Sequence, residues 1–518
     1  MLNGAQPTLI YGDQRIHADA LAHKIDALAA SLYQLGVRRG DRIALWLPNC
    51  PAWLIAHLAA ARLGAATMAV NTRFRSAEVE DILFRSGAKT LVYWPGFLGI
   101  DFDAILADVN ADALAQVQNV IVYREDDSAI PARVMGKPAA AFDALLNAGP
   151  SVALAAPSAS DGCILFTTSG TTGVPKLALH TQASIARHAD DVAPVFGYDR
   201  PDTVLLQALP LCGTFGHAQA MAVLCAGGTL VLMSAFELDS ALELMRVHRV
   251  SSLNGADTMF EDMWRTGDPS QWQSIRDGGF AAFSTPDPVS FVERADARGV
   301  ELFGLYGMSE VQALFARQRV GAQADERAEG GGFLTSPDAQ FRVCDPDTDK
   351  QLEVGMAGEL QLRGPSMFSE YFNNPAATAQ AMTSDGFLRT GDLARDEGGG
   401  RFTYLARMGD SLRLGGFIAS PAEIEAYVER DAGVASCQVV GVDGERGTAP
   451  VAFVVLHPDA DFSEARLRDH CVRGLAKFKV PVRYIPLDAF PMTMSPNGEK
   501  IQRVRLREMA TAALSAGD

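Results

Sequence analysis

Phe166–Lys176 reads FTTSGTTGVPK. Five hydroxyl side chains (Thr167, Thr168, Ser169, Thr171 and Thr172), two glycines and no acid precede a lysine that stands behind Pro175. The apolar run before it, Cys163–Phe166, predicts a strand, so the stretch is a loop at a strand's end. Hydroxyl donors, with Gly170 and Gly173 letting the backbone close on a ligand, make a cradle for phosphate oxygens. It is not a Walker A loop, because GxxxxGK(S/T) needs a glycine directly before the lysine and a helix running on from it. Pro175 disfavours helical geometry at Val174, which predicts a mobile flap.

Around this loop, apolar strands alternate with amphipathic helices. Leu21, Ile25, Leu28, Leu32 and Leu35 recur at helical spacing and stop at Gly36, and Arg42–Leu47 follows as a strand closed by Pro48 and Asn49. Leu91–Trp94, Val120–Tyr123, Cys163–Thr167 and Leu230–Met233 read as further strands, and Leu238–Val250 as a helix. The alternation predicts an α/β architecture with largely parallel, helix-covered sheets. Ala52–Val70 is long enough to span a bilayer, but His57, Arg62 and eight alanines predict a buried helix running into a turn and a strand. After about Gln340 the texture changes to short alternating strands such as Glu359–Arg363, and Gly398–Gly400 marks a hairpin-like break. A domain boundary is expected near Asp410. Beyond it Glu423–Glu429 and Ser463–Ala476 read as helices, and Cys437–Val442 and Val451–Leu456 as strands.

The 518 residues exceed the roughly 250 to 300 at which a single core stops growing, so two domains are the minimum. With 62 acidic against 45 basic residues the net charge is -17, which argues against a nucleic-acid or anionic-membrane partner. Seven scattered cysteines, odd in number and never in CxxC spacing, argue against a disulfide framework or thiolate zinc site. The N-terminal residues lack the basic and apolar regions of a signal peptide, so a reducing, cytoplasmic setting is expected.

Several further stretches follow the loop in order: Tyr306-Gly307-Met308-Ser309-Glu310, Gly358-Glu359-Leu360 with Gly364, and Tyr371-Phe372-Asn373-Asn374-Pro375. Next come Arg389-Thr390-Gly391-Asp392-Leu393, Arg407 with Asp410, Pro421-Ala422-Glu423-Ile424-Glu425, and Lys500-Ile501. With TSGTTGxPK, this set resembles the adenylate-forming superfamily along nearly the whole chain, and its acid–CoA ligase branch in particular.

The resemblance implies a large N-terminal domain, residues 1–409, of helix-covered sheets plus a β-barrel-like subdomain, and a small mobile α+β C-terminal domain, 410–518. The implied reaction is attack of a carboxylate on the α-phosphate of ATP, giving acyl-adenylate and pyrophosphate. Coenzyme A then takes the acyl group. Two anions must approach each other, so cations and donors are needed rather than a protein nucleophile.

In that resemblance Thr168, Ser169, Gly170, Thr171, Thr172, Gly173 and Lys176 hold the β- and γ-phosphates. Ser309 contacts the α-phosphate, and Glu310 carries Mg2+ as a hard oxygen ligand. Tyr306 stacks on adenine near Ser284, Thr285 and Pro286, Gly307 and Met308 belong to the same nucleotide-binding set, Asp392 accepts both ribose hydroxyls, and Arg407 faces the same sugar. Lys500 is the lysine of adenylation, with Lys477 and Lys479 as rivals. Cys212, Gly213, Phe215, Asp257 and Leu305 line the acid pocket. Asp410 is the hinge about which the small domain swings to bring Gly415, Gly416 and Phe417 to the thiol channel.

The chain also departs from the family pattern. Gly213 replaces the histidine usual in the acid pocket, which leaves room for a bulky aromatic or medium- to long-chain acid. Asp257 stands where proline is common, Ser284-Thr285-Pro286 where Gly-Ala-Pro is, and Leu177 and Ala406 replace glycines. The last motif is written MSPNGEK, longer than the usual SGK form, which leaves the register of Lys500 open. His180 and His217 are expected to pack rather than transfer protons. A carrier protein or an amine as acyl acceptor, and a non-catalytic nucleotide or acyl binder, remain as alternatives. So do monomeric and homodimeric states.

Overall fold

The computed structural model describes residues 7–126, 128–147, 154–168, 175–281, 285, 287–346, 348–408, 412–414, 417–419, 421–444, 447–495 and 498–515. They fall into two compact units. The first comprises Met1–Thr72, Ile82–Thr167 and Leu177–Met408; the second comprises Arg73–Asp81, Thr168–Lys176 and Gly409–Asp518.

The strand leading into the expected phosphate cradle, Gly162–Thr168, lies inside a nine-stranded sheet. Its parallel neighbour is Ala66–Ala69, followed by Arg42–Trp46, Thr90–Tyr93, Asn119–Val122 and Lys137–Ala141, all parallel. The inner strands Ala66–Ala69, Arg42–Trp46, Thr90–Tyr93 and Asn119–Val122 are buried almost throughout, as in a parallel sheet covered on both faces. The helix Pro51–Arg62 runs into the strand Ala66–Ala69, as expected, and nine of its twelve residues are buried, so its hydrophobicity serves the core. Among the described residues no helix is long and apolar enough to cross a membrane.

Both edges of this sheet are antiparallel, Arg133–Val134 at one and Glu370–Tyr371 against Lys176–Thr181 at the other. The expectation of largely parallel strands misses them, because such edge strands need no helical crossover.

A second nine-stranded sheet changes character midway. Gly255–Ala256, Asp277–Ala281 and Glu301–Met308 run parallel. From Glu301–Met308 onward, through Gln312–Arg317, Gly331–Leu334, Arg401–Arg407, Leu388–Gly398, Ala357–Arg363 and Gln340–Cys344, every pair is antiparallel. This strand-rich half has its own core of Tyr306, Val311, Phe315, Leu360, Leu362, Leu388 and Phe402. The predicted break at Gly398–Gly400 is a hairpin turn, with φ of 77, 63 and 84° that only glycine adopts without strain.

The second unit holds a three-stranded sheet, Val434–Gly444, Gly447–Leu456 and Arg483–Pro486, against the helices Pro421–Val428 and Glu464–Gly474. Within it the Lys479 ammonium is buried, 2.9 Å from Glu78 and 2.6 Å from Glu423. Burial opposes the charge, but the two carboxylates outweigh it and hold the lysine pKa above its ordinary value. Lys479 is thus committed to an internal ion triad. Lys479→Met strands two buried carboxylates and should destabilise this unit by roughly 3–5 kcal/mol, read as a lowered denaturant midpoint; an unchanged midpoint would contradict the triad's role.

Candidate active site

Glu301–Met308 delivers the central residues. Its last turn is tight: a methyl group at Gly307 would sit 2.4 Å from Ala313 Cα and 2.7 Å from Gln312 O, so no side chain fits. The ladder to Gln312–Arg317 shifts register between Tyr306 and Met308, and Gln312 and Leu314 take left-handed φ of 68 and 65°. Left-handed backbone at non-glycine residues persists only where surroundings enforce it, and such strain gathers at functional sites. Here the Gln312 amide donates to the carbonyls of Ser184 and Ser366, 3.1 and 3.2 Å away.

The turn so formed carries Ser309 and Glu310. Glu310 is buried, its carboxylate accepting from the Tyr371 hydroxyl at 2.7 Å and its carbonyl from Phe368 N–H at 2.7 Å. Ser309 offers its carbonyl to His180 Nε2 at 2.7 Å. On the strand before the turn, the Tyr306 hydroxyl donates to Asp392 Oδ2 at 2.6 Å, and its ring packs against Phe402 and Tyr404. Asp392 is itself buried, with its backbone N–H on Thr390 Oγ1 and its Cα paired with Arg407 across the ladder. Tyr306, Ser309, Glu310 and Asp392 are therefore brought together from two distant segments.

Among the described residues no group of three or more His, Cys, Asp or Glu forms a metal cage. A buried carboxylate such as Glu310 suits Mg2+, which takes one or two protein carboxylates and completes its shell with phosphate oxygens and water.

The expected acid-pocket segment is ordered by a residue that reads only as a turn in the sequence. Asn49 Nδ2 donates to the carbonyls of Gln207 and Leu209, and Asn49 Oδ1 accepts Leu211 N–H at 2.7 Å. Gln207, Gln219, Asn254 and Tyr198 continue behind it as a buried hydrogen-bonded chain. Gly213 caps the helix Thr214–Ala226 without a side-chain bond. A methyl group there would meet one atom within 4 Å among the described residues, Pro210 O at 3.6 Å. Gly216, by contrast, has Pro210 O at 2.2 Å from that point and accepts no side chain. Cys212, Phe215 and Leu305 are partly buried against the main core. Asp257 is buried, and its oxygens accept Thr258 N–H at 2.9 Å and Thr285 N–H at 2.6 Å. That gives the carboxylate a loop-anchoring task beside its expected place at the pocket edge.

Thr168 ends its strand as a buried residue, and Lys176 opens the next strand. Ser169, Gly170, Thr171, Thr172, Gly173, Ser284, Pro286, Asp410, Gly415 and Gly416 lie outside the described residues, as do the side chains of Arg407, Phe417 and Lys500.

Four histidines are buried around the site. His57 Nδ1 meets Thr67 Oγ1 at 2.9 Å, and His57 Nε2 meets His217 Nε2 at 3.1 Å. His188 Nε2 donates to Ala313 O at 2.7 Å. Burial pushes the pKa of His57, His180 and His188 down to about 4, and that of His217 well below its ordinary value. The unfolded chain takes up protons near pH 6.5 that the folded chain refuses. Stability should therefore be level above about pH 6.5 and fall toward pH 4, by up to about 1.4 kcal/mol per pH unit for each histidine. Denaturant midpoints at pH 7.5, 5.5 and 4.5 read this directly, and equal midpoints at 7.5 and 4.5 would refute it.

Residues 3–372 match the family model of the AMP-binding enzyme, and 423–496 that of the AMP-binding enzyme C-terminal domain. A 3-(7a-methyl-1,5-dioxo-octahydro-1H-inden-4-yl)propanoyl:CoA ligase of Mycobacterium tuberculosis is 33% identical, covering 97% of this chain and 95% of the relative. The 2-hydroxy-7-methoxy-5-methyl-1-naphthoate–CoA ligase of Streptomyces carzinostaticus is 30% identical, over 97% and 90%. Among solved structures, a double mutant of the o-succinylbenzoate CoA synthetase of Bacillus subtilis, bound with a product analogue, aligns with a TM-score of 0.82. It is 25% identical, over 97% and 96% of the two chains. The chain belongs to the AMP-binding enzyme family, in its acyl-CoA ligase branch, and is an adenylate-forming ligase.

Proposed function

We propose that this protein converts a bulky, ring-bearing carboxylic acid to its CoA thioester at the expense of ATP. The observation that carries the reading is the buried convergence of Tyr306 and Asp392 with the Ser309–Glu310 turn. A tyrosine–aspartate pair suits a nucleoside, and a serine–glutamate turn suits its phosphates.

In the first half-reaction a carboxylate oxygen of the acid bonds to the α-phosphorus of ATP. The bond from that phosphorus to the bridging oxygen breaks, and pyrophosphate leaves with the electron pair. Thr168, the hydroxyls of the following loop and Lys176 stabilise the leaving group, and Lys500 neutralises the approaching carboxylate. Glu310 would hold Mg2+, which supplies charge neutralisation on the phosphate oxygens. In the second half-reaction the CoA sulfur, having lost its proton, bonds to the acyl carbon, and AMP departs. No protein nucleophile is required.

The size of the acid follows from Gly213, where the described residues leave space that a side chain would fill. The ring systems in the names of the relatives point the same way. The test is a panel of short-chain, medium-chain, aromatic and polycyclic acids, read by pyrophosphate release and by thioester formation. Polycyclic or aromatic acids should lead. Gly213→His should lower kcat/KM for them by roughly tenfold or more, the scale of a mismatch of a few carbon atoms in an apolar pocket, while short acids hold their rates. Adenylate formed without CoA consumption would overturn the choice of acceptor.

Lys500→Ala should cut adenylation from acid and ATP about a hundred- to a thousandfold, yet spare thioester formation from a supplied acyl-adenylate. Equal loss in both half-reactions would count against the assignment.

A further inference from the structure

We infer that the strand pair Lys176–Thr181 and Glu370–Tyr371 is a two-point clamp on the Ser309–Glu310 turn, with His180 and Tyr371 as positioning residues for adenylation. The inference rests on the reading of Ser309 and Glu310 given above, and assigns work to two residues that the reaction itself does not call for.

The two strands pair antiparallel, Ala178 opposite Tyr371 and Leu179 opposite Glu370. Side chains directly opposite share a face, and so do residues two apart on one strand. His180 and Tyr371 therefore project from the same face of this edge, and each ends on the turn. His180 is fully buried, with Nε2 at 2.7 Å from Ser309 O. A carbonyl oxygen only accepts, so Nε2 carries the proton and Nδ1 is a bare acceptor. Nδ1 has no partner among the described residues. An apolar residue would avoid that unsatisfied nitrogen, so what the imidazole contributes here is the single bond to Ser309.

Tyr371 makes the second contact, its hydroxyl 2.7 Å from Glu310 Oε1. It is set by its own supports: its N–H donates to Thr378 Oγ1 at 2.9 Å, and its ring packs on Phe368, 4.7 Å between centroids. A third tie joins the same segment, Phe368 N–H to Glu310 O at 2.7 Å. The turn needs such ties because the ladder behind it is broken by a register shift and by left-handed Gln312. Left to itself it would relax, and a displacement of about 1 Å at a reacting centre costs on the order of a hundredfold in rate.

The test uses the full-length protein and three variants. Tyr371→Phe removes one oxygen, His180→Leu removes the donor, and His180→Gln restores a side-chain N–H. Each is measured for acid-dependent pyrophosphate release, with kcat and KM separated, and for thioester formation from a supplied acyl-adenylate.

Tyr371→Phe and His180→Leu are expected to lower kcat of adenylation about ten- to a hundredfold, with KM for the acid within about twofold. Thioester formation should hold within about threefold, and His180→Gln should recover most of the loss. Unimpaired adenylation in Tyr371→Phe overturns the inference, as does equal loss in both half-reactions, or His180→Gln no better than a folded His180→Leu. Should His180→Leu fail to fold, the Tyr371→Phe result decides alone. A wild-type protein that adenylates no acid would instead sink the functional reading, so the two failures are distinct.

Discussion

At Gly307 two strands come closer than any side chain allows, with Ala313 Cα 2.4 Å from where a Cβ would stand. The rest of the site depends on that approach. It lets Glu301–Met308, which begins as a parallel strand, finish against an antiparallel partner and eject the Ser309–Glu310 turn. One strand is thereby exposed to two kinds of neighbour. Its parallel side joins the helix-covered half, where the segment from Leu209 to Gly216 lies. Its antiparallel side joins the strand-rich half that supplies Asp392. A β-carbon at residue 307 would separate the strands, and Tyr306 and Glu310 would lose their common origin.

Around this point the molecule holds polar groups in place by burying them as neutral or paired species. The histidines stay uncharged because burial opposes their protonation, and the amides from Gln207 to Asn254 satisfy one another. A centre that must receive a polyanion and a carboxylate gains from such a surround. Fixed dipoles do not compete with the charges that arrive, and they need no reorganisation when the bond forms.

Much of this was legible in the sequence. Helical spacing from Leu21 to Leu35 marks a helix observed at Ala18–Gln34, and the apolar run before the loop marks the strand Gly162–Thr168. The glycine run 398–400 marks its hairpin, because positive φ at three successive residues has few other solutions. What stayed hidden was pairing at long range. Nothing in the spacing of Tyr306 and Asp392 says that a phenol will meet a carboxylate across 86 residues. Asn49 reads as a turn residue until its amide is seen fastening three backbone groups of Gln207, Leu209 and Leu211. The edge strand Glu370–Tyr371 is two residues long, too short for any periodicity to register. His180 was expected to pack; its burial bears that out, while its bond to Ser309 is a matter of direction that composition does not encode.

The separation of these partners also sets when the site can come into being. The Glu310–Tyr371 bond spans 61 residues and the Tyr306–Asp392 bond 86, so both belong to the non-local class of contact that folds late. On a ribosome adding about 5–20 residues per second, Tyr306 waits on the order of 5 to 20 s for its carboxylate to be made. Until then the helix-covered half has a core to collapse around, while the Tyr306 hydroxyl has no Asp392 to meet. A nascent fragment ending before Asp392 would therefore carry Tyr306 without completing the Tyr306–Asp392 pair on which the proposed nucleoside site rests.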